Sequence, residues 1–360
     1  MRGFRLSSIM AVTAVLIASG TSAVHAQEAP ADWAGGIVGE VLEDAAPATT
    51  STTSTETEID EARVSLPRDI STPISVEAAG SLPFTLTLPG ERAGSDSVVD
   101  EEDASVVHEL SDGSAIVPLV RTDGVLQVLS VIEAPGSPSV FDYSFNSAAD
   151  ALVSITPDGG AVVNDGSGTE LATVAAPWAT DAVGRAIPTH FESDGAQISQ
   201  VVDLAAVTDI EYPVVADPAI TVTSYEYKYV NVNKTPNWTN TSKQLGICKV
   251  HAGAGGGTCT ISQNYTVNRS VDVSFGLTAS NVAVGVGLGS SASVSGTVSW
   301  TSGVAPAGTT YKAWAVGTKV NFRIQKWKVV KAGGRTARTL LATSGVLSAF
   351  SPKRGFAVGR

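Results

Sequence analysis

The stretch Ala151-Leu152-Val153-Ser154-Ile155-Thr156-Pro157-Asp158-Gly159-Gly160-Ala161-Val162-Val163-Asn164-Asp165-Gly166 sets the fold class. Its apolar runs, 151–155 and 161–163, are too short for helices, and each ends in a cluster of Pro, Asp, Asn and Gly. Asp-Gly and Asn-Asp-Gly supply the positive φ that tight hairpin turns require. Runs joined in this way read as consecutive antiparallel strands.

The same pattern extends outward on both sides. Apolar runs recur at 84–88, 115–120, 125–132, 171–174 and 198–202, with Asp112-Gly113, Asp123-Gly124 and Asp194-Gly195 between them. Many short strands with regular turn signals predict an all-β chain and exclude alternating βα units. The expectation is two antiparallel β-sandwich or barrel-like domains after a signal peptide and a Ser/Thr-rich linker. The Asn164-to-Glu170 run lacks the alternating ligands of an EF-hand and reads as a solvated turn.

Charge divides the chain in two. Residues 27–218 carry 33 Asp/Glu against 5 Lys/Arg, a balance of −28, and residues 219–360 carry 2 against 16, a balance of +14. With Arg2 and Arg5 these make up the net −12. A cationic half points to an anionic partner, and the two opposite halves are also expected to pair with each other. On that reading the acidic half masks the basic one until the junction near 213–220 is cleaved or the target displaces it.

Arg2 and Arg5, an apolar run over 9–18 and the small-residue site Val24-His25-Ala26 read as a secretory signal peptide. The expected organisation is a signal over 1–26, then a short helix and disordered Ser/Thr/acidic linker over 27–69. An acidic β module over 70–218 and a basic β domain over 219–360 follow. Trp33, Ile37, Val38, Val41 and Leu42 mark the short helix, and 45–58 is rich in Ser and Thr. Secretion places Cys248 and Cys259 in an oxidising compartment, where they should pair. His251 between them suggests a metal site instead, but two thiols and one imidazole leave a tetrahedral site incomplete.

Catalytic signals are scarce. His108, His190 and His251 have no nucleophile or metal-ligand spacing, and Glu226 and Asp272 are the basic half's two carboxylates. No nucleophile elbow, metalloprotease, P-loop or dinucleotide motif occurs, so neither an enzyme nor a cofactor nor a metal is expected. Asn-x-Ser/Thr sites at Asn233, Asn237, Asn240, Asn264 and Asn268 fit exposed strands.

The expected interaction residues lie late in the chain. Lys319, Arg323, Lys326, Lys328, Lys331, Arg335 and Arg338 fall close together, with Trp327 among them. A solubilising face is the plain reading; an anionic lipid or wall polymer is the functional one. Single-stranded nucleic acid suits cations with aromatics but is an unusual partner for an exported protein. Upstream, Val271, Val273, Phe275 and Leu277 alternate with polar residues, and after 279–281 the apolar set becomes Val282, Val284, Val286 and Leu288. Alternation with a phase change predicts an amphipathic β-hairpin. It either covers a core or serves as a membrane-inserting stem, and the latter needs several chains to close a barrel.

Two resemblances add to this reading. Ala176-Pro177-Trp178-Ala179-Thr180-Asp181-Ala182-Val183-Gly184-Arg185, followed by Tyr212-Pro213-Val214-Val215-Ala216-Asp217-Pro218, resembles a β module of secreted actinobacterial proteins. A related form lies upstream of cargo domains in wall-associated RHS/YD-repeat proteins. The resemblance spans about 80–218 and implies an extracellular structural or delivery module with no known catalytic residue. Ala216 stands where the wall-associated form has Ile, and no binding role is carried over. The Ser/Gly/Val-rich hairpin, Val304-Ala305-Pro306-Ala307-Gly308-Thr309-Thr310 and the run 311–324 resemble, in composition, the aerolysin and epsilon-toxin group. That likeness implies pore formation.

Overall fold

The computed structural model describes residues 45–51, 53–59, 62–90, 95–99, 106–251, 253, 255–332 and 335–360. The expected signal peptide and the helix at 30–44 lie outside them. The chain is all-β, and its strands pair antiparallel. In the acidic half these are β1 (Thr49–Thr50), β2 (Ser54–Ile59), β3 (Ala62–Pro67), β4 (Ile74–Ala78), β5 (Phe84–Thr87) and β6 (Ser95–Val99). There follow β7 (Val106–Leu110), β8 (Ser114–Val120), β9 (Val125–Ile132), β10 (Val140–Ser147), β11 (Ala151–Ile155) and β12 (Ala161–Asp165). The half closes with β13 (Glu170–Val174), β14 (Trp178–Thr180), β15 (Thr189–Asp194), β16 (Gln197–Val202) and β17 (Val214–Asp217). The basic half holds β18 (Ala219–Lys249), β19 (Thr260–Asn268), β20 (Ser270–Val271), α1 (Ala279–Gly285), β21 (Ser293–Thr301), β22 (Thr310–Ala332), β23 (Arg335–Thr343) and β24 (Leu347–Gly359).

The acidic half is a sandwich. One sheet runs β1-β2-β3-β4-β5-β10-β16-β15, and the other begins β11-β12-β13-β18-β9-β8-β7-β6. Alternation does the sorting: in β10, Phe141, Tyr143 and Phe145 point inward while Val140 and Asp142 are exposed. They meet Val163, Leu171 and Leu126 of the facing sheet in one core. β8 and β9 are apolar on both faces because both are covered. Ile116 and Val120 join that core, while Ala115, Val117 and Leu119 pack behind the sheet on Val215 and Trp178.

Three expectations are corrected. The segment 45–69 is not a disordered tether, because β1 to β3 belong to the first sheet and Val64, Leu66 and Ile70 to its core. Thr55 and Thr57 are buried in β2, as suits a β-branched residue in a strand, so Ser/Thr richness marked strand here. Nor do the two halves fall into separate sheets at 218. Pro218 precedes a strand, a position that needs no amide donor, and β18 then runs unbroken through both halves. Ala219 to Thr221 pair with β9, and Ile220 to Val222 with β13; from Thr223 onward the partner is β22. The basic half is thus not a separate closed sandwich but an extension of the second sheet by β22, β23, β24 and β20.

The third correction concerns 270–288, which is not a hairpin. After the two residues of β20 the chain forms α1, where the Thr278 side chain accepts from the Asn281 amide at 3.2 Å. Val282 and Val286 satisfy period two and period 3.6 alike. Val284 separates the two: it is 73% exposed, as a helix requires and an alternating strand forbids.

Candidate functional site

The long sheet of the basic half is covered differently on its two faces. Lys319 and Val320 of β22 pair with Phe350 and Ala349 of β24. Phe350 packs with Ile261, Val267 and Val298 of β19 and β21, whereas Ala349 and Val320 pack with Val282, Val286 and Leu288. Consecutive strand residues leave opposite faces of a sheet. The β19–β21 pair therefore lies on one face and the α1 segment on the other. The chain passes between them at the sheet edge, where Val271 of β20 pairs with Ala349.

β19 and β21 pair with each other over nine residues and join no other sheet among the described strands. Their exposed side chains are polar, including Thr260, Ser262, Thr266, Ser295, Thr297 and Ser299, while Ile261, Val267 and Val298 face the sheet. Cys248, near the end of β18, is bonded to Cys259 just before β19, with 6.0 Å between their Cα atoms. The expected disulfide thus staples the hairpin's base to the long strand.

The expected cationic cluster is divided by the same alternation. Lys326 and Lys328 pair with Tyr227 and Tyr225 of β18 and share with them and with Tyr229 the face on the α1 side. Lys326 Nζ lies 4.2 Å from the Tyr225 ring centre, and Lys328 Nζ lies 2.6 Å from Glu170 of the acidic half. Burial pulls the Lys326 ammonium below the usual lysine range, against the opposing charge of Asp165. Lys319, Arg323 and Trp327 leave the opposite face. There Lys319 lies over Trp238 at 4.9 Å, Arg323 donates to the Ser344 carbonyl at 3.0 Å, and Trp327 donates to Gln325 at 3.2 Å. Arg338 meets Glu226 at 3.0 Å, and Glu226 also takes Lys228 at 3.6 Å. One run of sequence thus serves two surfaces.

Beyond residue 325, β22 carries β23 on one edge while β18 holds its other edge as far as Val330, so only the turn end, with Lys331 opposite Thr336 and Ala332 opposite Arg335, runs on as a two-stranded ribbon. Eight of the nine β23 residues are exposed, among them Arg335, Arg338, Leu340 and Leu341. The expectation had placed the cations but not these two leucines, which follow the cationic run directly in sequence. Glu170 and the Tyr225/Tyr227/Tyr229 ladder were also missed. The ladder's period-two spacing was a visible signal, but its partner on a distant strand was not.

Contact between the halves goes beyond the one ion pair. Thr223 Oγ1 donates to Glu170 at 2.8 Å, the Tyr225 hydroxyl to the Glu170 carbonyl at 2.8 Å, and the Tyr225 amide to Ala79 at 2.7 Å. Val214, Val215, Ala216 and Asp217 of the proposed cleavage junction are all buried in β17. Among the described residues no group of three or more His, Cys, Asp or Glu side chains is placed to hold a metal. No family model, no curated protein and no solved structure matches the chain.

Proposed function

We propose that this is a secreted, non-enzymatic protein that attaches to an anionic lipid surface of a cell envelope through the β22–β23 ribbon. The observation that carries this reading is β23 itself, exposed along both faces and offering Arg335 and Arg338 beside Leu340 at 43% and Leu341 at 48% exposure. Near an anionic membrane each Lys or Arg contributes about 1 kcal/mol, and exposed leucines gain by entering the acyl boundary. A wall polymer supplies the charge but no apolar layer, so the leucines favour lipid. The acidic half is the scaffold that holds the ribbon's base through Glu170.

Co-sedimentation with phosphatidylglycerol-containing vesicles, against pure phosphatidylcholine, tests this. Binding to the anionic vesicles is expected to fall about tenfold or more in Lys331→Glu/Arg335→Glu. It should fall further in Leu340→Ser/Leu341→Ser. Equal binding to both vesicle types, or charge reversal without effect, overturns the reading.

A second reading, membrane insertion, has its own observation. β19 and β21 are nine residues long, the length of a transmembrane strand, with one polar Ser/Thr face and one largely apolar face. They would have to leave the sheet and join copies from other chains, since a lone hairpin keeps open edges. This moves the inserting element from 270–300 to 260–301. Dye release from the same vesicles should then be abolished by Val294→Asp while sedimentation persists. Vesicles that bind the protein yet never leak would end this second reading.

A further inference from the structure

A cleft of about 540 Å³ opens where three parts of the fold meet, the acidic half, the long sheet and the α1 segment. The loop 80–82 and the 165–169 turn come from the acidic half. Tyr227 and Lys326 come from the long sheet, and 275–281 from the α1 segment. The size is that of a small-molecule site. We infer that this cleft binds a neutral pyranose sugar, stacked on the Tyr227–Phe275 wall and hydrogen-bonded through Lys326, Asp165 and Asn281.

The lining's chemistry selects the class. Asp165 and Lys326 bring one charge of each sign, so the site as a whole favours neither an anion nor a cation. A carboxylate accepts from hydroxyls and an ammonium donates to them, while Asn281 does both. Charge-assisted bonds of this kind are among the stronger ones available to a sugar. Ser167 and Thr169 add hydroxyls. The rings of Tyr227 and Phe275 lie 6.4 Å apart and 31° from parallel. They make a shallow apolar wall suited to the C–H face of a pyranose, while the hydroxyl rim reaches the polar groups opposite.

The charged partners are set in place before any ligand arrives. Asp165 Oδ1 accepts from the Ser167 amide, the Ser167 hydroxyl and the Thr169 amide at 2.6–2.9 Å, which fixes the carboxylate in the turn. Burial opposes its ionisation, but those bonds and nearby Lys326 outweigh it and hold its pKa below the usual range. Lys326 is seated over the Tyr225 ring. A bound sugar would therefore meet an ordered site and lose little to side-chain ordering.

A zwitterion is the competing chemistry, since it too would match one anion with one cation. It has no use for a ring wall facing hydroxyls, and it serves as the control. Saturation-transfer NMR on the full protein, with methyl glucopyranoside, methyl galactopyranoside, methyl mannopyranoside and phosphocholine as probes, decides between them. The expected result is saturation of at least one methyl pyranoside, strongest on its axial C–H protons. It should fall at least fivefold in Phe275→Ala and in Lys326→Gln, each checked for an unchanged thermal midpoint. Asn281→Ala gives a third variant should either fail to fold. No transfer to any sugar, transfer unaltered in the folded variants, or transfer to phosphocholine alone overturns the proposal. The vesicle experiments do not bear on it, because the cleft and the β22–β23 tip are different surfaces.

Discussion

The acidic and basic halves share a strand but use their strands in different ways. The acidic half is made of many short strands closing over one large core, with Tyr143, Phe145, Ile116 and Leu126 fully buried. The basic half has strands of 31, 23 and 13 residues whose apolar contacts are divided between two small clusters on opposite faces. A sandwich concentrates burial in one place. A long single sheet covered piecemeal leaves elements such as β23, and the β19–β21 pair, with little holding them beyond one face. Burial is concentrated in the first region, and exposed strand surface such as β23 lies in the second.

The sharpest way to break this comparison is by cavities. Phe145→Ala should destabilise by about 3–5 kcal/mol, and Val298→Ala, in the smaller hairpin cluster, by about half that or less. Denaturant unfolding measures both. Equal losses would mean that the two regions are packed alike.

Next in size is the staple. Cys248→Ser/Cys259→Ser should cost about 2–4 kcal/mol. Amide exchange should show the effect first in β19 and β21 and leave β8 and β9 protected. If exchange instead rises evenly over the whole chain, the hairpin is not a separately held element.

The pH response below neutrality sharpens the comparison, because its two large shifts, at His108 and Asp217, both sit in the acidic half. Burial depresses His108 to about 4, partly offset by Asp69, so the folded state keeps it neutral. The unfolded chain protonates below about 6.5, so stability is lost as pH falls from there toward 4, by up to about 3 kcal/mol. Asp217 behaves in the opposite sense. Burial raises it to about 6 despite the bond from Gln127, so its charge costs stability above that pH and the cost fades on acidification. The two slopes oppose each other in the wild type. Asp217→Asn removes the second, so its stability should fall more steeply between pH 6.5 and 4. Parallel curves for the two proteins would refute the assignment.

The smallest effect is expected at the joint. Glu170→Gln weakens the half-buried pair with Lys328 and should cost about 1 kcal/mol or slightly more. Low-salt measurements should show more of it than high-salt ones.

Much of the fold was legible because its signals are local. Asp-Gly turns gave the hairpins of the acidic half, with positive φ at Gly124 and Gly159 as expected. The disulfide followed from two cysteines near each other in sequence. What misled was also local: Ser/Thr richness at 45–58 resembled a tether, and Val282/Val286 spacing fitted a strand as well as a helix. For the candidate site, each cation was found by position, but not the division between faces. That depends on which register neighbour each one meets and on Glu170, 158 residues away from Lys328.

The sequence by itself determined that this chain is built of strands, where most of them turn, and that its halves carry opposite charge. These follow from side-chain period, backbone preference and composition, which neighbouring residues settle among themselves. Only the tertiary structure decided that β18 belongs to both halves, that 279–285 is helical, and which cations share a face of the sheet. Those outcomes turn on burial against residues far along the chain, and that free energy has no local signature.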